Sequence, residues 1–346
     1  MPSATDPVGP YERWMYGPGR YYDLPGLMLA DQPSLSALAE FPHPVTPAAL
    51  PDLLTADHIT LQPRLPVLYR PGQFHPHFLP FLLSPTSGQS GMTPDLAPLL
   101  AQLSTASGTT GQIRLNFPVR AETLDATFPT AFAPLTPDPE VDPTKPLVIL
   151  AVIDHGIPFA HKSLRTPTST RVEFCWSQSA EADGSGTVLF GREFRRTAIN
   201  ASQDEDATYR AAGLLGRPGL PPTPLARRYS HGAHILGALA GNWPADQAAQ
   251  VRIIAVDLPA TAVWDTSGFG TDMFLLAAMH DIFDRVERIA AAYDHPDVAL
   301  IVNLSYGTSG GPHDGTGLIG AAFDEMITYR RSRAPTALVL PSGNMF

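Results

Sequence analysis

The stretch Leu147-Val148-Ile149-Leu150-Ala151-Val152-Ile153-Asp154-His155-Gly156 decides how this chain is read. Seven apolar residues in a row, closed by an acid and a glycine, predict a strand buried on both faces. Downstream, residues 230–241 predict a short helix with serine at the N-cap and glycine at its end. Residues 251–256 predict a second buried strand, and 271–292 a helix with apolar residues at helical spacing. A third strand is expected over 298–304, a helix over 317–331 and a fourth strand over 336–340. Such alternation builds an α/β fold, a mostly parallel sheet with helices on both faces. Active sites in such sheets gather at the carboxyl ends of the strands.

Upstream the texture changes. Of 37 prolines, 25 fall in residues 1–146. Proline removes an amide donor and fixes φ, so this part is expected to hold neither long helices nor central strands. Residues 33–40 and 94–104 are expected as short helices and 112–119 as a strand. The segment 136–146 (TPDPEVDPTKP) reads as a linker. Two units follow: a Pro-rich N-terminal extension of unknown role over residues 1–146, and the α/β part over 147–346. His75 and His77 have no third ligand in view and read as inert loop histidines.

The chain of 346 residues carries a net charge of −10, which argues against nucleic acid or an anionic membrane as partner. The single cysteine, Cys175, excludes an intramolecular disulfide and a Cys-rich zinc site. Residues 1–16 lack the apolar stretch of a secretory signal. The clean apolar run 147–153 is far short of the roughly 20 residues that span a bilayer. A soluble protein is expected, cytoplasmic by default.

Several polar groups sit at predicted strand and helix ends. Asp154 follows the first strand directly, a placement that aims an acid at a cleft but also suits a turn cap. His231 opens a helix, where the positive dipole end favours a neutral imidazole fit for general-base work. His234 lies three residues on, and HxxH with no nearby carboxylate is thin ground for zinc. Asn303-Leu304-Ser305-Tyr306-Gly307 ends the third strand, and Leu340-Pro341-Ser342-Gly343-Asn344 ends the fourth. Gly268-Phe269-Gly270-Thr271 lacks the lysine of a phosphate cradle and reads as a helix-start turn. Between Asp154 and His231, residues 184–186, 204–206 and 213–224 read as surface insertions.

Taken in order, Asp-x-Gly, His-Gly-x-His-x-x-Gly, Asn-hydrophobic-Ser-x-Gly and Ser-Gly-Asn resemble the subtilisin-like serine proteases (subtilases). His161-Lys162-Ser163-Leu164 is similar to that family's His-Pro-x-Leu turn, with lysine for proline. The resemblance covers residues 147–344 and implies a serine endopeptidase whose α/β sheet is incomplete at the C-terminus. It implies Asp154 as triad acid, His231 as general base and Asn344 as oxyanion-hole donor. Ser305, Tyr306 and Gly307 match the edge along which a substrate peptide pairs. No cofactor is implied, and no metal ligand set, calcium included, is identifiable.

The family's nucleophile follows the oxyanion asparagine in a Gly-Thr-Ser-x-Ala-x-Pro motif, a position beyond Phe346. Gly307-Thr308-Ser309 stands out of order and leads into a Gly-Pro-His-Asp-Gly loop, so Ser309 reads as a surface turn; Ser342 is also out of order. The expected partners are a polypeptide substrate and a cover for the exposed core. That cover is the remaining C-terminal part of the peptidase domain, a second chain or the Pro-rich N-terminal region. The alternative is a catalytically inactive peptide-binding or regulatory module of the same fold.

Overall fold

All but the first residue of the run 147–153 lies in strand β5 (Val148–Asp154), inside a six-stranded sheet. The computed structural model describes residues 33–53, 59–65, 74, 76–85, 112–120, 132–180, 187–188, 190–202, 204–216, 223, 225–227, 229–259, 262–263, 271–307, 310 and 314–343. In the N-terminal part the elements are β1 (Pro33–Glu40), α1 (Leu50–Leu53), β2 (Ile59–Pro63), β3 (Phe78–Pro85) and β4 (Gln112–Arg120). Then come β5 (Val148–Asp154), β6 (Val172–Ser177), β7 (Arg192–Arg195), α2 (Arg196–Ala201) and α3 (Glu205–Ala211). The rest is α4 (His231–Ala240), α5 (Ala245–Ala248), β8 (Val251–Asp257), α6 (Asp272–Ala292), β9 (Ala299–Leu304), α7 (Leu318–Arg331) and β10 (Thr336–Val339).

The large sheet runs β10-β9-β5-β8-β6-β7, parallel throughout except for the β6–β7 pair. Successive side chains of a strand point to opposite faces. Ile149, Ala151 and Ile153 accordingly join α6 and α7 in one core, while Leu150 and Val152 join Leu236 and Ala240 of α4 in another. Strand β6 was not anticipated; it lies between Asp154 and His231, upstream of the stretches read as insertions, and all six of its residues are buried. Asp204–Asp206, read as a surface insertion, opens a helix: Asp204 caps α3 by accepting from the Asp206 amide.

The N-terminal sheet, order β2-β3-β1-β4, is antiparallel. Two expectations for this part are overturned. Residues 33–40 form a strand, not a helix: Leu38 enters the core beneath α6, while Ala37 and Ala39 are buried on the other face. Helix propensity is a weak prior that such packing overrides. Nor does proline keep this region free of central strands. Pro33 stands at the start of β1, and Pro118 lies on edge strand β4 beside the bulge between Leu35 and Ala37. Pro80 of central β3 accepts at its carbonyl from Arg64 N–H, so its donorless nitrogen faces the same side, just past the end of β2. Residues 94–104 lie outside the described set. For 112–119, β4 supplies the expected strand.

The segment 136–146 lacks regular structure yet is firmly attached. Asp138 is buried and meets Arg252 at 2.9 Å, and Arg252 also holds Glu173 at 2.8 Å, both through charged hydrogen bonds in the interior. The Tyr293 hydroxyl adds bonds to the Asp138 amide and to Glu173. Val141 is buried in the main core. Removing one partner of a buried ion pair leaves uncompensated charge. Arg252→Ala should therefore lower the unfolding free energy by about 3–5 kcal/mol, read from chemical denaturation.

Candidate active site

Asp154 is the last residue of β5 and is buried; His231 is the first residue of α4, with its side chain 48% exposed. Nδ1 of His231 lies 2.8 Å from both Asp154 carboxylate oxygens. An ionised carboxylate only accepts, so Nδ1–H is the donor here, and in a neutral ring the lone pair is then on Nε2. The separation of 77 positions is closed by a docking of α4 onto the turn after β5. Gly232 N–H donates to the His155 carbonyl at 3.0 Å, and the Ser230 hydroxyl, which also caps the helix by accepting from Ala233 N–H, donates to the Gly156 carbonyl. Gly232 is required by this approach: a Cβ there would stand 2.6 Å from the His155 carbonyl oxygen. Gly156 adopts φ of 69°, a conformation open to glycine.

The turn itself is held by Asp257, the last residue of β8 and the register neighbour of Asp154. One Asp257 oxygen accepts from the amides of Gly156 (2.7 Å) and Ile157 (3.3 Å), and the other from the Ser177 hydroxyl (2.8 Å). Burial pushes its carboxyl up to about 6, against the pull of the Ser177 hydroxyl and those two amides. Sequence reading missed this residue; a carboxylate closing an apolar strand was the available signal. It also assigned nothing to His155, although that residue stood inside the quoted motif. The His155 ring is parallel to that of His231 within 3°, with centroids 6.0 Å apart, and its Nδ1 lies 3.5 Å from Asp154 Oδ1. Among the described residues, Asp154, His155 and His231 form a cluster able to hold a metal ion, each offering one ligand atom within 4.8 Å of the others.

The remaining sequence candidates fall around this pair. Ser305, Tyr306 and Gly307 follow β9, the neighbour of β5, at the same end of the sheet; Ser305 and Tyr306 are half-buried and Gly307 is exposed. Asn344, Ser309, His75, 184–186 and 268–270 lie outside the described residues. Ser342 is exposed, next to Gly343 at φ 96°. His234 is exposed and stands outside the metal-capable cluster. His161 caps a single helical turn, its Nδ1 accepting from Ser163 N–H. His77 Nδ1 pairs with Glu325 of α7 at 3.2 Å, joining the small sheet to that helix. A cavity of about 580 Å³ borders α4 on the face of Ala233, Leu236 and Gly237, roughly opposite His231 on the helix.

No family model matches this chain, and no curated protein matches it. Among solved structures, it is similar to the Clostridium perfringens CspB protease at a TM-score of 0.36 and 19% identity, over 55% of this chain and 35% of that one. The chain thus spans about a third of that protease's length. No helix among the described residues is long and apolar enough to cross a membrane.

Asp257 makes the stability of this turn depend on pH. Its folded value of about 6 exceeds the ordinary 3.8, so the folded chain holds the proton more tightly than the unfolded chain. The resulting stabilisation is complete below the unfolded value and is lost as pH rises through about 6. Asp257→Asn can keep its oxygen on the two amides and turn its NH₂ to the Ser177 hydroxyl, so it should fold. The stability of the wild type relative to this variant should fall by roughly 2–3 kcal/mol between about pH 4 and pH 7.5, measured by urea unfolding at each pH.

Proposed function

We propose that residues 147–346 are the N-terminal part of a subtilisin-like serine peptidase domain that hydrolyses polypeptides. The observation that carries this reading is His231 Nδ1 at 2.8 Å from both oxygens of the buried Asp154 carboxylate. With that tautomer held, Nε2 is free to take a nucleophile's proton and return it to the leaving amine, while Asp154 stabilises the imidazolium as it forms. We assign the nucleophile to a serine outside residues 1–346 and the oxyanion donor to Asn344. Residues 305–307, past the end of β10's pairing with β9, are assigned to backbone pairing with an extended peptide.

Under the same reading, residues 1–146 are an extension that covers α6. The β10 side takes a cover of further C-terminal polypeptide or a second chain. What supports this is an apolar edge: β10 pairs only with β9 among the described residues, and Val339 and Leu340 are 47% and 56% exposed.

The test is cleavage of a denatured protein by the chain expressed with whatever polypeptide follows Phe346 in its reading frame, with fragments identified by mass spectrometry. Cleavage abolished by His231→Ala is the expected result. Asp154→Asn should keep the fold and lower kcat by about 10⁴, because the imidazole then takes the wrong tautomer. Near-full activity in that variant overturns the triad. Binding of the denatured protein without cleavage favours the peptide-binding alternative. Gly232→Ala, whose Cβ meets the His155 carbonyl, should lift the start of α4 and lower kcat/KM by about 10²-fold with little change in circular dichroism.

A further inference from the structure

We propose that Asp154, His155 and His231 bind one zinc-class divalent cation, and that the bound cation blocks the general base reversibly. The proposal rests on the same Asp154–His231 pair as the hydrolytic reading and adds a regulation to it. Two imidazoles and a carboxylate are a borderline donor set that suits Zn²⁺ or Co²⁺; Ca²⁺ and Mg²⁺ take oxygen ligands. Tetrahedral zinc with bonds of about 2.0–2.1 Å sets its ligand atoms ~3.3 Å apart. The separations from Asp154 Oδ1 are 2.8 Å to His231 Nδ1 and 3.5 Å to His155 Nδ1, on either side of that figure.

The frame is already in place. The His155 amide donates to Asp154 Oδ1 at 2.7 Å, and Asp257 fixes the two residues that follow. The side chains of His155 and His231 are 28% and 48% exposed, so each ring has room to turn a lone pair toward the ion. Solvent on that side leaves a fourth position for water, the pattern of three-ligand zinc sites. When Nδ1 of His231 binds the cation, its proton moves through solvent to Nε2, giving the other neutral tautomer. No lone pair is then left to accept a proton from a nucleophile. Coordination through Nε2 blocks the base directly. Either way, cation and proton transfer exclude each other at one ring.

The test is isothermal titration of the metal-stripped 346-residue chain with ZnCl₂, alongside the visible absorption of a Co²⁺ complex. One Zn²⁺ per chain is expected. His155→Gln and His231→Gln should each weaken binding by at least about 10-fold, since losing a ligand costs no less than losing the group behind one. His234→Gln, outside the cluster, should bind as the wild type does, and circular dichroism should show all three variants folded. Where cleavage is measurable, a fixed zinc concentration should inhibit the wild type by a larger fraction than His155→Gln. No zinc binding, or equal binding by His155→Gln, overturns the metal site whatever the hydrolysis assay gives. Zinc binding by a chain that cleaves nothing upholds the site and counts only against the hydrolytic reading.

Discussion

Helix α6 has no solvent face over Asp272 to Val286, and both sheets are arranged around that constraint. An amphipathic helix is satisfied by one layer, but a helix buried on both sides needs two. The six-stranded sheet covers one side. Strands β1 and β3 cover the other, which brings Leu38, Phe78 and Leu82 into one core with Ile149 and Ile153. The charges carried into this layer are paired: Arg285 meets Glu193, Asp281 and Asp284, and Asp272 meets Arg114 of β4 at 2.8 Å. Burial pushes the Asp281 carboxyl up even with Arg285 beside it.

The sheet that covers α6 also positions Asp154 and Asp257. Asp154 and Asp257 end adjacent parallel strands in register, yet their surroundings divide the labour. Asp257 spends both oxygens on three donors of the interior and so fixes the turn. Asp154 gives one oxygen to the His155 amide and presents both to His231. The contact between turn and helix tolerates no Cβ at position 232, so the pair's distance is set by backbone against backbone. Backbone contacts in a closely packed interior deform little, which is what the proposed acid–base role requires.

What the sequence made legible follows from how local each signal is. Strands β5, β8 and β9 and helices α4, α6 and α7 were readable because a continuous apolar run or a helical spacing lies within the segment itself. Asp154 and His231 were readable from the order of short motifs, though their contact spans 77 residues. By contrast, β6 reads VEFCWS with a glutamate inside it, and nothing local says that Glu173 is buried against Arg252 and Arg196. Strand β1 was misread because Ala, Leu and Glu favour helices locally, while the partners that make it a strand lie some 40 and 80 residues downstream. His155 was visible as a letter, but its approach to a carboxylate and a second imidazole is a property of the folded turn.

The segment 136–146 shows the same limit from the other side. Its prolines and charges correctly predict an absence of regular structure, but composition is silent on contacts. Asp138 reaches Arg252 and Arg196, the Asp142 amide reaches Gln250, and Val141 is buried, so the chain enters β5 along a fixed path. A free tether would let the N-terminal sheet move independently of the large one. Here the sheet is held at both ends of its connection: by packing on α6, and by a buried ion cluster whose carboxylates come from the connection and from β6. Separating the two parts would therefore strip water-free partners from Arg252 and expose the apolar side of α6 in the same step. Those two penalties fall together, because the described N-terminal strands and the large sheet share α6 and the Arg252 cluster.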